Sequence, residues 1–184
     1  MSSPARLITA EELFDYPDPR RYELVRGILR VSEPPGGVHG RLAVKLGARL
    51  DAHVTRLGLS TVLVEAGYVL ERGPDTVRGP DVSFVSAARV PPDRIPEQFI
   101  SGPPDLAVEI LSPGDRWSEI EGKVADYLAG GARRVWLVDP RERRVIVRYA
   151  NRPSRVLTDR DILDGEDVVP GFALPLAELF RPLA

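Results

Sequence analysis

Two carboxylates and one amine stand in this sequence where they could do chemistry together. Glu109 lies inside Asp105–Leu111 (DLAVEIL), an aliphatic run of strand length bounded by Pro103-Pro104 and Ser112-Pro113-Gly114. Such a run reads as a strand buried on both faces. A carboxylate there is costly unless hydrogen bonds, a basic partner or a metal ion compensates it. Asp81 opens a second short apolar strand, GPDVSFV. Lys123 falls on a helix whose apolar stripe is Trp117, Ile120, Val124 and Leu128, and it flanks that stripe beside Tyr127. From such a flank a long side chain can run along apolar surface and deliver its ammonium into a neighbouring cleft. Two carboxylates holding Mg²⁺ or Mn²⁺, with a lysine to position a nucleophile or steady a transition state, make a workable phosphodiesterase site.

Each residue also has a plainer reading. Asp81 after a proline suits a turn or strand edge. Lys123 has Glu119 four residues before it and Asp126 three after, so an exposed helix ion pair would account for it. Glu109 could be paired with one of the many arginines, although such a burial is hard to justify on stability alone.

The elements that must position these groups follow from periodicity. Thr9 with Glu11 and Glu12 starts a short helix that Pro17 and Pro19 end. Arg21–Val31 reads as two strands pivoting at Arg26-Gly27, with Glu23 in the first. From His39, the stripe Leu42, Leu46, Leu50, Val54 and Leu57 marks an amphipathic helix stopped by Gly58. Thr61–Leu70 is β-rich, and Pro80–Val85 is the next strand; Asp93–Ser101 carries no clear pattern. After DLAVEIL, Asp115 is the expected cap of the Lys123 helix, which Gly130-Gly131 ends. Arg134–Val138 is a buried strand and Val145–Tyr149 an alternating one; the chain closes on Pro175–Phe180. The middle therefore runs helix, strand, strand, strand, helix, strand, which predicts an α/β or α+β sheet covered by helices.

Length and composition bound the possibilities. A chain of 184 residues without a repeat or linker is expected to form one domain over 1–184. It has no cysteine, which removes thiol nucleophiles, disulfides and Cys-based zinc sites. His39 and His53 are the only imidazoles, so a metal would be held by oxygen. The formal net charge of −2 provides no global attraction to nucleic acid. Between Arg133 and Arg155, however, eight arginines face only Asp139 and Glu142, and such a basic face could approach a phosphate backbone; a solvated surface is the alternative. No long apolar segment or leader-like N-terminus appears, so the expectation is a soluble, cytoplasmic protein with no membrane contact.

The combination of Pro80-Asp81, Glu109 in a strand running into Ser112-Pro113, Lys123 and Tyr127 before Gly130-Gly131, and the VWLVDP strand resembles the Uma-type restriction endonuclease family of the PD-(D/E)XK nuclease superfamily. The resemblance extends from RYELVRG to GEDVVPGF and PLAELF. It implies a restriction-endonuclease-like core of helix, three strands, helix and strand, in agreement with the order above. It also implies that Asp81 and Glu109 ligate the metal together with the main-chain carbonyl of Ile110. The superfamily's lysine should follow two residues after the acid, where this chain has Leu111; the implication is that Lys123 replaces it from the helix. Glu23 and His39 occupy the places of a further acid and of a phosphate or water contact, His39 having helix-start capping as its alternative. The function expected is metal-dependent DNA endonuclease activity, in a dimer by analogy. The competing expectations are a nuclease fold kept as a nucleic-acid- or protein-binding module with little hydrolysis, and a structural domain in which an arginine neutralises Glu109. No base-reading motif is present.

Overall fold

A computed structural model of the chain describes residues 6–17, 21–32 and 34–181. Pro19, expected to help end the first helix, lies outside them, as do the two extremities of the 1–184 span. Helix α1 (Ala10–Phe14) is closed by Thr9 and Glu12 in a reciprocal capping box. Strands β1 (Arg21–Val25) and β2 (Ile28–Ser32) pair through a two-residue turn in which Arg26 and Gly27 both have positive φ, 50° and 75°. That turn matches the natural twist of a hairpin. Helix α2 (Gly37–Leu57) buries Leu42, Leu46, Leu50 and Val54 and is stopped by Gly58 at φ 61°. Leu57 departs from the expected stripe. It is exposed, because the helix ends there and the chain turns away.

The β-rich stretch Thr61–Leu70 is two strands in two different sheets. Strand β3 (Ser60–Val64) ends at Glu65, whose φ is 55°, and β4 (Tyr68–Glu71) begins after Gly67. A Cβ on Gly67 would lie 2.3 Å from the Phe99 ring, so only glycine lets the chain cross here. Strands β5 (Thr76–Arg78), β6 (Val82–Ser86), β7 (Ile100–Ser101) and β8 (Leu106–Ile110) follow. Helix α3 (Trp117–Ala129) then leads to β9 (Arg134–Asp139), β10 (Arg144–Arg148), β11 (Arg155–Thr158), β12 (Ile162–Asp164), β13 (Ala173–Pro175) and α4 (Leu176–Leu179).

Among the described residues the strands form a six-stranded sheet in the order β11-β10-β9-β8-β6-β3, a five-stranded sheet β2-β1-β5-β4-β7 and the pair β12-β13. In the large sheet β8 and β9 are parallel, and α3 supplies the crossover that a parallel pair requires. The expected order of helix, three strands, helix and strand is thus realised as α2-β3-β6-β8-α3-β9, with β4 and β5 leaving between β3 and β6 to join the N-terminal hairpin. The fold is mixed α+β.

Alternation along β8 divides its side chains between two cores. Leu106, Val108 and Ile110 pack with α2 and the C-terminal segment, whereas Ala107 packs with Ile120, Val124 and Tyr127 of α3 and with Val135 and Leu137 of β9. Each buried aliphatic side chain contributes about 1.5–3 kcal/mol, so both faces of β8 are held firmly. Glu109 has the parity of Ala107 and therefore faces α3. On β10 the expected alternation is absent. Val145, Ile146 and Val147 are all buried, because the strand is covered on both faces.

Two readings of α3 are corrected. Its N-cap is Arg116, with no side-chain cap; Asp115 instead accepts from the Ser112 N–H at 2.7 Å and so shapes the preceding loop. Trp117 is 50% exposed rather than buried: it stands on the first turn, beyond the Ile120, Val124 and Tyr127 contact with the sheet. No described helix is long and apolar enough to cross a membrane.

Candidate active site

Glu23, His39, Asp81, Glu109, Ile110 and Lys123 all line one cleft of about 930 Å³. The hairpin and the start of α2 form one wall, and the loop before α3 with its first turns forms the other.

Glu109 lies on the floor, 4% exposed. No arginine reaches it among the described residues. Lys123 Nζ donates to its Oε2 at 3.0 Å and the Tyr127 hydroxyl to its Oε1 at 2.7 Å. Burial is the main force raising the Glu109 carboxyl, to about 7, aided by the charges of Asp81 and Glu23 and opposed by Lys123 and by the Tyr127 hydrogen bond. The Lys123 ammonium, which burial would push down, is instead held above its ordinary value by Glu109 and Glu23. It therefore stays charged. The expected surface pairs of Lys123 with Glu119 and Asp126 are absent among the described contacts. Lys123 lies instead 3.3 Å from Glu23 Oε1 as well as beside Glu109, and Asp126 serves another partner.

Asp81 precedes β6 and reaches across to β8: its Oδ2 accepts from the Ile110 N–H at 2.6 Å and lies 3.0 Å from His39 Nε2. This pins the carboxylate to the backbone immediately after Glu109. The helix-start capping alternative for His39 does not hold. The helix opens at Gly37 with Gly36 as N-cap, and the imidazole turns inward to Asp81.

Glu23 is brought in by strand register. Because Leu24 pairs with Val77, Glu23 stands opposite Arg78 on β5. Arg78 Nη1 donates to Glu23 Oε2 at 2.8 Å, while its Nε and Nη2 reach Asp126 Oδ2 at 2.8 and 2.6 Å. The Gly79 N–H completes Glu23 at 3.1 Å. Burial would raise the Glu23 carboxyl, but Lys123, Arg78 and this N–H more than reverse it and leave it below the usual range. Arg78 is a site residue that inspection of the sequence missed. Its one signal was its place in Val77-Arg78-Gly79-Pro80-Asp81, which becomes informative only with the hairpin register. Tyr127 was noticed beside Lys123, but its hydroxyl contact was not foreseen.

Three carboxylates, Glu23, Glu109 and Asp126, thus share two full cations, Arg78 and Lys123, while a fourth, Asp81, is paired with His39. Among the described residues no three Asp, Glu, His or Cys side chains form a ready-made metal cage. The donor set nevertheless fits a hard divalent cation. Mg²⁺ is commonly held by only one or two carboxylates and keeps several waters. Asp81 and Glu109 would supply those oxygens: Asp81 Oδ1 makes no hydrogen bond among the described residues, and the carboxylates of the cluster outnumber its full cations.

The Arg133–Arg155 segment does not join the cleft. Arg134 pairs with Leu106 at the start of the parallel strands, three residues before Leu137, the partner of Glu109. That is about 10 Å along the strand, toward the other end of α3. There Arg134, Arg152 and Arg155 converge on Glu166, whose carboxyl burial would raise but Tyr149, Arg134 and Arg152 hold down at about 2, and Arg133 pairs with Asp167. Arg143, Arg144 and Arg148 are matched by Asp159, Asp139 and Glu121. Only Arg141 lacks an ion pair among the described residues. The expected basic face is therefore largely neutralised, because, Asp139 apart, its carboxylate partners lie outside the segment.

A crystal structure of a putative nuclease belonging to DUF820 from Anabaena variabilis shares the fold, with a TM-score of 0.80 and 22% identity over 94% of this chain and 97% of that one. No curated protein matches. The model of the Uma2 family, described as putative restriction endonuclease, matches residues 10–177, nearly the whole chain. This protein belongs to the Uma2 family.

Proposed function

We propose that the protein is a divalent-metal-dependent nuclease that hydrolyses a phosphodiester bond of DNA by attack of water. The observation that carries this reading is Glu109. It is a buried carboxylate on a central strand, matched by a lysine rather than an arginine and set beside Asp81 in an open cleft with residual negative charge. Family membership supports the same class of reaction.

Asp81 and Glu109, with the Ile110 carbonyl, would hold the cation, Mg²⁺ or Mn²⁺. When bound, such an ion neutralises charge on the scissile phosphate and acidifies a water. The chain's own groups do the rest. His39 and the Ile110 N–H orient Asp81; Tyr127 fixes the rotamer of Glu109. Lys123 Nζ, a permanent cation at the floor, steadies charge on the phosphate or orients the water, taking the part of the lysine missing at Leu111. Glu23 and Arg78 set the position of Lys123 and balance its charge. Organisation as one domain over 1–184, pairing of two copies and a cytoplasmic location belong to the same proposal.

The test is nicking of supercoiled plasmid by wild type beside Glu109→Ala, with Mg²⁺, with Mn²⁺ and with EDTA. Metal-dependent nicking by wild type alone is the expected result. Retention of DNA without nicking under any metal would overturn hydrolysis and favour the binding-module alternative.

A further inference from the structure

Six of the seven residues from Pro113 to Glu119 line the cleft, and all seven are exposed; Trp117 is the one that does not line it. It projects from the same wall, half exposed, between Arg116 and Ser118. Its apolar neighbours on the helix, Ile120 and Val124, are buried, so the first turn of α3 overhangs the core and carries an indole into solvent. A lone exposed tryptophan beside a catalytic cleft is a ready stacking surface.

Charge points the same way. The cleft is flanked by Arg30 of β2 on one wall and Arg116 on the other, both exposed and neither ion-paired among the described residues. The arginines of the 133–155 segment, by contrast, are nearly all neutralised. Arg30 and Arg116 are thus free to contact phosphates on either side of the acidic floor. The floor carboxylates are themselves buried: Asp81 is 7% and Glu109 4% exposed. A volume of about 930 Å³ has room for a few nucleotides of one strand, being at the upper end of ordinary ligand pockets. Stacking on Trp117 needs a free base face, which an unpaired strand presents and the stacked interior of a regular duplex does not.

We infer that Trp117, Arg30 and Arg116 form a binding rim for unpaired nucleic acid, in which a base next to the scissile phosphate stacks on Trp117 and the flanking phosphates meet the two guanidiniums. This rests on the nuclease reading of the same cleft and names the substrate form it takes: single-stranded or locally opened chains rather than regular duplex.

The tryptophan content makes the test direct. Trp136 is 1% exposed and Trp117 is the other tryptophan of the chain, so quenching of red-edge emission reports Trp117. Wild type is titrated in EDTA, and again with Ca²⁺, using an oligothymidylate, an oligouridylate and the oligothymidylate–oligoadenylate duplex. The expected result is quenching by single strands, with the duplex weaker; the two single-strand arms distinguish DNA from RNA. Trp117→Ala should weaken single-strand binding by about 5- to 150-fold, the range one stacked base supplies, and Trp117→Phe should restore most of it. Arg30→Ala and Arg116→Ala should each lower the slope of log K against log salt by roughly 0.7. Saturating binding without quenching, unchanged affinity in Trp117→Ala, preference for duplex, or no binding in either condition would overturn the inference. A concentration-dependent blue shift without nucleic acid would also overturn it and assign Trp117 to a contact between copies. If quenching occurs but wild type never nicks, the rim stands and the nuclease reading fails; if nicking occurs without quenching, the reverse holds.

Discussion

Replacing Glu109 by glutamine should change how stability depends on pH. In the native state its carboxyl is raised from 4.5 to about 7, first by burial and then by Asp81 and Glu23. Between those values the folded chain binds a proton that the unfolded chain has released. The contribution is therefore fully present below the unfolded pKa and is lost as pH rises through the native one. At about 1.36 kcal/mol per unit, the loss amounts to roughly 3 kcal/mol. For a chain of this size 1 kcal/mol moves Tm by about 2–4 °C, so wild type in EDTA should melt roughly 6–12 °C lower at about pH 8 than at about pH 5. Glu23 has the opposite sign, but its carboxyl is lowered, so its effect falls below this window. Glutamine keeps acceptor and donor atoms for Tyr127 and Lys123 yet does not titrate, and Glu109→Gln should be nearly flat over the range. A divalent cation, which favours the ionised carboxylate, should flatten the wild-type curve as well. Melting curves across the window, with and without EDTA, decide the matter. A wild-type Tm that is level or rises with pH, or a glutamine variant that keeps the slope, refutes the charge arrangement described for the cleft floor.

Other perturbations probe the same cluster. Mg²⁺ or Mn²⁺ at about 100 times its Kd should stabilise wild type by roughly 2.7 kcal/mol and leave Asp81→Ala and Glu109→Ala unmoved in a thermal melt. Arg78→Met removes the guanidinium that Glu23 and Asp126 share and should cost about 3–5 kcal/mol in denaturant unfolding, much of it recovered when Glu23→Gln is added. Tyr127→Phe removes one hydrogen bond to a charged group, worth about 1.5–3 kcal/mol, and slows nicking if the Glu109 rotamer matters. Lys123→Ala should suppress nicking strongly while leaving metal-induced stabilisation in place; unimpaired nicking would remove Lys123 from the mechanism.

Much of this site was legible before any coordinates. Glu109 stood out because an acid inside an aliphatic strand is a local contradiction, and DLAVEIL displays it in seven residues. Asp81, Lys123, Glu23 and His39 were identified from their elements and from the family pattern, and the structure brings all of them to one cleft. The core order of helix, strands, helix and strand was likewise readable, since burial period is a local property of the chain. What pairs with what was not. Arg78 enters only because Leu24 registers with Val77, and hairpin-to-sheet register is set between segments more than fifty residues apart. The arginines of 133–155 read as a free basic face because their neutralising partners, Glu166, Asp167, Asp159 and Glu121, come from elsewhere in the chain. Trp117 read as core because its spacing matches Ile120 and Val124, and only the sheet's extent shows that the first turn overhangs it. Side-chain period and local chemistry are written along the chain, whereas charge balance and exposure are sums over neighbours in space, and those neighbours exist only after folding.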